Sequence, residues 1–76
     1  MTDSDIDAAI FDIVGVSWRK VAMVIGKVAE ILAADLPEEH NRYDLIAKRI
    51  EALVSDGRLV AQGNLKKWRH SEVRRP

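Results

Sequence analysis

Groups able to do covalent chemistry are scarce in this chain. Apart from Tyr43, the hydroxyls are Thr2, Ser4, Ser17, Ser55 and Ser71, there is no cysteine, and the two histidines, His40 and His70, lie 30 positions apart. A nucleophile needs a neighbouring base and a third group to orient that base. His70-Ser71 joins a base and a hydroxyl in sequence, but adjacent residues of a strand point to opposite faces. Ser4 and Ser17 read more simply as helix caps. His40 and Asp44 sit at i, i+4 with Glu39 beside them. Structural zinc wants four ligands and catalytic zinc three from the protein, so Asn41 and Asp44 as caps are the simpler account. Gly57 and Gly63 are too far apart, and follow a helix rather than a strand, so they do not form a phosphate loop. These residues predict no enzyme, no catalytic residues, no cofactor, no metal site and no small-molecule substrate.

The constellation worth weighing is basic. Arg42, Lys48 and Arg49 fall on a predicted third helix, and a helix reading a DNA major groove presents its early residues to base edges. Lys66, Lys67 and Arg69 surround Trp68 in a loop beyond that helix, where such side chains can touch phosphates. Arg74 and Arg75 follow. Asp44 and Glu51 share the helix, however, and no Asn, Gln or Ser lies along its middle to read bases. The isoelectric point is near neutrality, below the footprint of a dedicated DNA binder. For the loop, solvated charge around an indole packed on the third helix stands against phosphate contact.

The elements that must position these groups follow from patterning. Asp3 or Ser4 caps a first helix, with Asp5 and Asp7 in its first turn, where the helix dipole favours negative charge. Ile6, Ala9, Ile10, Ile13 and Val14 make its apolar stripe, and Gly15 suits its end. Val16 lies in a short extended segment. Ser17 caps a second helix at Trp18–Ala34, striped by Trp18, Val21, Ile25, Val28 and Leu32 and widened by Val24 and Ile31. Gly26 costs that helix about 1 kcal/mol relative to Ala, which a close backbone neighbour would explain. Asp35–His40 is a connector, where Pro37 biases Leu36 away from helix. Asn41 and Asp44 resemble a capping box opening the third helix, Arg42–Ser55. Its stripe is Ile46, Ile50, Leu53 and Val54, helped by Leu45, and Gly57 ends it. Arg58–Gln62 and His70–Arg74 read as strands around the Gly63-Asn64 turn and the basic loop.

Three helices followed by a β-hairpin is the order of a winged helix-turn-helix, mainly α (α+β). The alternative is a plain helical bundle with an extended tail. The length of 76 residues allows one domain, 1–76. With 47% hydrophobic residues and only four aromatics, aliphatic packing must supply the core. Net charge is zero, yet residues 1–39 hold three basic and eight acidic side chains while residues 40–76 hold nine basic and four acidic. The acidic opening is unlike a signal peptide, and the longest apolar stretch, Val21–Ala34, is too short for a membrane span. The expected setting is cytoplasmic.

Nearly the whole chain resembles an uncharacterised bacterial winged-helix-like domain family that sits C-terminally in larger proteins. The resemblance rests on Trp18-Arg19-Lys20-Val21-Ala22 with Val24-Ile25-Gly26. It also rests on Leu53-Val54 before Gly57-Arg58-Leu59, on Gly63-Asn64-Leu65 and on Ser71-Glu72-Val73-Arg74. It implies the same fold, a free-standing accessory domain or a piece of a longer protein, and an apolar residue where this chain has Arg75. It implies no activity.

Two functions of different class follow. One is a protein-interaction or dimerisation module, motivated by the wide apolar girth of the second helix, with Trp18, Val24, Ile31 and Trp68 as partner contacts and the acidic and basic halves free to pair between molecules. The other is binding of double-stranded DNA, as in a transcriptional regulator, through the third helix Arg42–Ser55 and the basic wing Lys66–Arg69. Its contacts would be Arg42, Lys48, Arg49, Lys66, Lys67 and Arg69.

Overall fold

A computed structural model describes residues 2–33 and 39–76, with the side chains of Glu39, His40 and Asn41 also left aside. Most of the expected connector Asp35–His40 and the metal-ligand role weighed for His40 lie outside the described residues.

Helix α1 spans Asp3–Ile13 and starts from Thr2, not from Asp3 or Ser4. The Thr2 hydroxyl accepts the Asp5 N–H at 3.3 Å, and the Asp5 carboxylate accepts the Thr2 N–H at 3.0 Å, a reciprocal capping box. Ser4 would need Asp7 as its reciprocal partner, and Asp7 is committed to Arg49. Ile6, Ala9 and Ile10 are buried as the stripe predicts. The helix ends as Val14 turns extended, while Gly15 keeps a negative φ and is not a left-handed cap.

The expected second helix begins three residues late. Arg19–Lys20 form a short strand, β1, and helix α2 is Val21–Ile31. The physical reason is pairing with a strand more than 50 positions away, Glu72–Arg74, in register Arg19↔Val73 and Lys20↔Glu72. Ser17 caps nothing; the first N–H of α2, from Val21, donates to the Ser71 carbonyl at 3.0 Å. Val21, Val24, Ile25, Val28 and Ala29 are buried along α2.

Helix α3 spans Glu39–Ser55, so Asn41 lies within it rather than at its start. Ile46, Ile50 and Leu53 are buried, Val54 half-buried, and Leu45 is exposed instead of joining the stripe. Its end is as expected: Gly57 takes φ 78, the Gly57 N–H donates to the Val54 carbonyl and the Arg58 N–H to that of Leu53, at 3.1 and 2.9 Å. This is the paired bonding of a Schellman stop.

Strand β2, Val60–Gln62, and strand β3, Glu72–Arg74, are shorter than expected: the Arg58 and Leu59 N–H groups both donate to the Leu53 carbonyl at the end of α3, and Trp68–His70 forms a 3-10 turn before β3. The sheet order is β1-β3-β2, all antiparallel. Val73 on the middle strand faces inward, joining Leu59 and the helical stripes in one core. On the other face Lys20, Glu72 and Gln62 lie abreast, and Gln62 Nε2 donates to Glu72 Oε1 at 2.7 Å. Among the described residues the fold is therefore three α-helices and a three-stranded antiparallel sheet. No described helix is long and apolar enough to cross a membrane.

Candidate functional site

The six cations expected to meet nucleic acid do not form one surface. Arg49 lies on the side of α3 that packs against α1. Its Nε and one terminal nitrogen donate to the two Asp7 carboxylate oxygens at 2.9 and 2.8 Å, and Asp3 is 3.5 Å away. Hydrogen bonding to Asp7 pushes the Arg49 pKa up, against the opposing cost of desolvation. Arg42 is half-buried at the start of α3 and reaches the Ala33 carbonyl at 3.5 Å. Lys48 is exposed, but the outward face it shares carries Asp44, Leu45 and Glu51 at helical spacing.

Lys66, Lys67 and Arg69 are exposed on the turn between β2 and β3. That turn is well tied. Asn64 Oδ1 accepts the Lys66 N–H at 3.0 Å, the Asn64 carbonyl accepts the Lys67 N–H at 2.9 Å, and the Lys67 carbonyl accepts from the His70 N–H and the Ser71 hydroxyl. Gly63 opens it at φ 81, where a Cβ would stand 2.3 Å from the His70 carbonyl oxygen. Ser71 is buried, its hydroxyl and carbonyl both used structurally. Among the described residues no group of three His, Asp or Glu side chains is placed to hold a metal.

The expected partner contacts also divide. Val24 is fully buried in the core and presents nothing outward. Trp18 is about one-third exposed, with the Arg74 guanidinium 5.0 Å from its ring centroid. Ile31 is 57% exposed. Trp68 is half-buried, but it packs beside Ala22, Ile25 and Gly26 of α2 and Tyr43 of α3 rather than on the third helix alone. Gly26 has no close neighbour: a Cβ there would meet nothing within 4 Å. The close approach that would explain it is absent within the described residues.

Two features escaped sequence reasoning. Arg75 reaches back to the end of α1, where its guanidinium donates to the Val14 carbonyl at 2.8 Å and to the Phe11 carbonyl, and its N–H donates to Gly15. Arg58 and Arg75 both stand over the Phe11 ring, at 5.0 and 5.5 Å. α1 has no basic residue in its own last turn, so Arg75 supplies the cation that a helix C-terminus favours. The one signal was that pattern of an acidic helix end and a basic chain segment. Neither protein-family models, nor curated proteins, nor solved structures yield a match to this chain.

Proposed function

We propose that the chain is a winged-helix protein-interaction module. The order α1-β1-α2-α3-β2-β3 with sheet order β1-β3-β2 supports the winged-helix reading, the turn after Gly63 being the wing. The observation that carries the functional reading is the outward face of α3, where Asp44, Leu45 and Glu51 surround Lys48. Two carboxylates on that face repel phosphate, and Arg49, the helix's best-placed bidentate donor, is spent on Asp7. Exposed Leu45 and Ile31 suit contact with protein.

A second reading rests on Lys66, Lys67 and Arg69, which share one exposed turn and suit backbone phosphates of duplex DNA. Fluorescence anisotropy of a labelled duplex of mixed sequence, at about 50 mM salt, separates the two. The interaction reading expects no saturable binding below about 10 μM protein. Submicromolar binding that collapses as salt rises would overturn it in favour of DNA.

A further inference from the structure

The groove that Trp68 and Tyr43 wall is the feature least explained by the isolated domain. A cavity of about 280 Å³ is lined by Ala22, Ile25, Gly26, Tyr43, Trp68 and Arg69. It continues at one end into a concavity of the wing turn, which shares Trp68 and Arg69 and adds Lys66 and Lys67. At the other end it continues along α2, sharing Gly26 and Tyr43 and adding Lys27 and Glu30. Resting on the interaction-module reading, we propose that this groove docks an acidic peptide segment of a partner protein, with one apolar side chain as its anchor.

Three observations argue for it. Among the described residues, Lys27, Lys66, Lys67 and Arg69 bracket the groove against one carboxylate, that of Glu30, in a chain whose net charge is zero. Complementarity therefore selects a negative occupant. The lining between the cations is apolar, with Ala22, Ile25 and Gly26 beside the rings of Tyr43 and Trp68, so the occupant is apolar at its middle and acidic on its flanks. Gly26 lies in that lining with open space where a Cβ would stand. The helix carries a poor helix former there without any packing return from the described residues, whereas a docked chain gains a close approach to the α2 backbone. Single-stranded nucleic acid would find rings to stack on in Trp68 and Tyr43, but Glu30 at the α2 end repels its phosphates, so oligo-dT is the competing probe in the test.

The test uses the whole chain, labelled with nitrogen-15, and three probes. These are a 12-residue peptide with a central leucine flanked by glutamates, its lysine counterpart, and oligo-dT of 12 nucleotides. The acidic peptide is expected to shift the amides of Gly26, Trp68 and Arg69 at submillimolar concentration, and to bind about tenfold more tightly than the basic one. Gly26→Gln is expected to weaken binding at least about fivefold while melting no lower than the parent, since it fills the groove and improves the helix. Arg69→Glu should weaken it as well. No shift at millimolar peptide, shifts elsewhere, or indifference to Gly26→Gln overturns the proposal. So does oligo-dT competing for the groove more strongly than the acidic peptide. Loss of this groove with the duplex still unbound leaves the module reading standing, whereas tight duplex binding removes both.

Discussion

Replacing Asp7 with alanine removes both hydrogen bonds that fasten α3 to α1 and leaves the Arg49 guanidinium without its bidentate partner. Only 12% of the Asp7 side chain and 24% of the Arg49 side chain is exposed. Removing one member of a fully buried pair costs about 3–5 kcal/mol. Arg49 keeps a quarter of its surface in water and has Asp3 at 3.5 Å, so the expected loss for Asp7→Ala is smaller, about 2–3 kcal/mol. Native domains hold about 0.05–0.15 kcal/mol per residue, so this is a large share of the total for so short a chain. With about 4–8 °C per kcal/mol for a domain of this size, Tm should fall by roughly 10–20 °C. Urea unfolding followed by circular dichroism measures the loss directly. The cycle of Asp7→Ala, Arg49→Ala and the double variant should return a coupling of about 1.5–3 kcal/mol, little changed in high salt because the pair is shielded. Asp3→Ala, at an exposed carboxylate, should cost less than about 0.5 kcal/mol. A loss below about 0.5 kcal/mol for Asp7→Ala, or a coupling near zero, would refute the view that this pair locks the two helices together.

Three further outcomes follow from the geometry. Gly63→Ala meets the His70 carbonyl oxygen at 2.3 Å and a φ of 81, whereas Gly57→Ala meets only a φ of 78 in open space; denaturation should show a loss above about 2 kcal/mol for the first and about 1 kcal/mol for the second. Arg75→Ala strips the carbonyls at the end of α1 of their cation, and should cost about 1–2 kcal/mol and speed amide exchange in the last turn of that helix. The Asp5 carboxyl, accepting from the Thr2 N–H and hydroxyl, is held below its ordinary value of 3.8. Asp5 therefore favours folding above the unfolded pKa, and that support is lost as pH falls through the lowered folded value; an NMR titration should place its midpoint below 3.8, and Thr2→Ala should raise it.

Local signals in the sequence suffice where local physics decides the outcome. The stripes Ile6-Ala9-Ile10 and Ile46-Ile50-Leu53 are buried, and Gly57 and Gly63 both take the left-handed backbone that stop and turn require. What was missed depends on partners distant in sequence. Arg19–Lys20 read as the start of a helix because Trp18 completed an apolar stripe, yet pairing with Glu72–Arg74 draws them into a strand. Arg49 was legible as a cation on α3, but nothing near it in sequence marks Asp7, 42 positions earlier, as its partner. Val24 and Ile31 read as one widened girth; the fold buries the first and exposes the second, because α1, α3 and the Trp68–His70 turn cover α2 from particular sides. Arg75 falls after every periodic element, so hydrophobic periodicity assigns it no role.

The middle strand of the sheet is the last in chain order. This sets a timetable for biosynthesis. While the chain emerges from the ribosome, α1, α2 and α3 can gather around their shared apolar surfaces, but β1 and β2 have no partner until residues 72–74 appear. The first N–H of α2 awaits the Ser71 carbonyl, and the end of α1 awaits Arg75. Closure over such sequence separations is slower than helix formation. A nascent chain halted before Glu72 should therefore be a helical cluster with two unpaired strand segments, one of them only Arg-Lys, whose charges guard against pairing with a neighbouring chain during the wait.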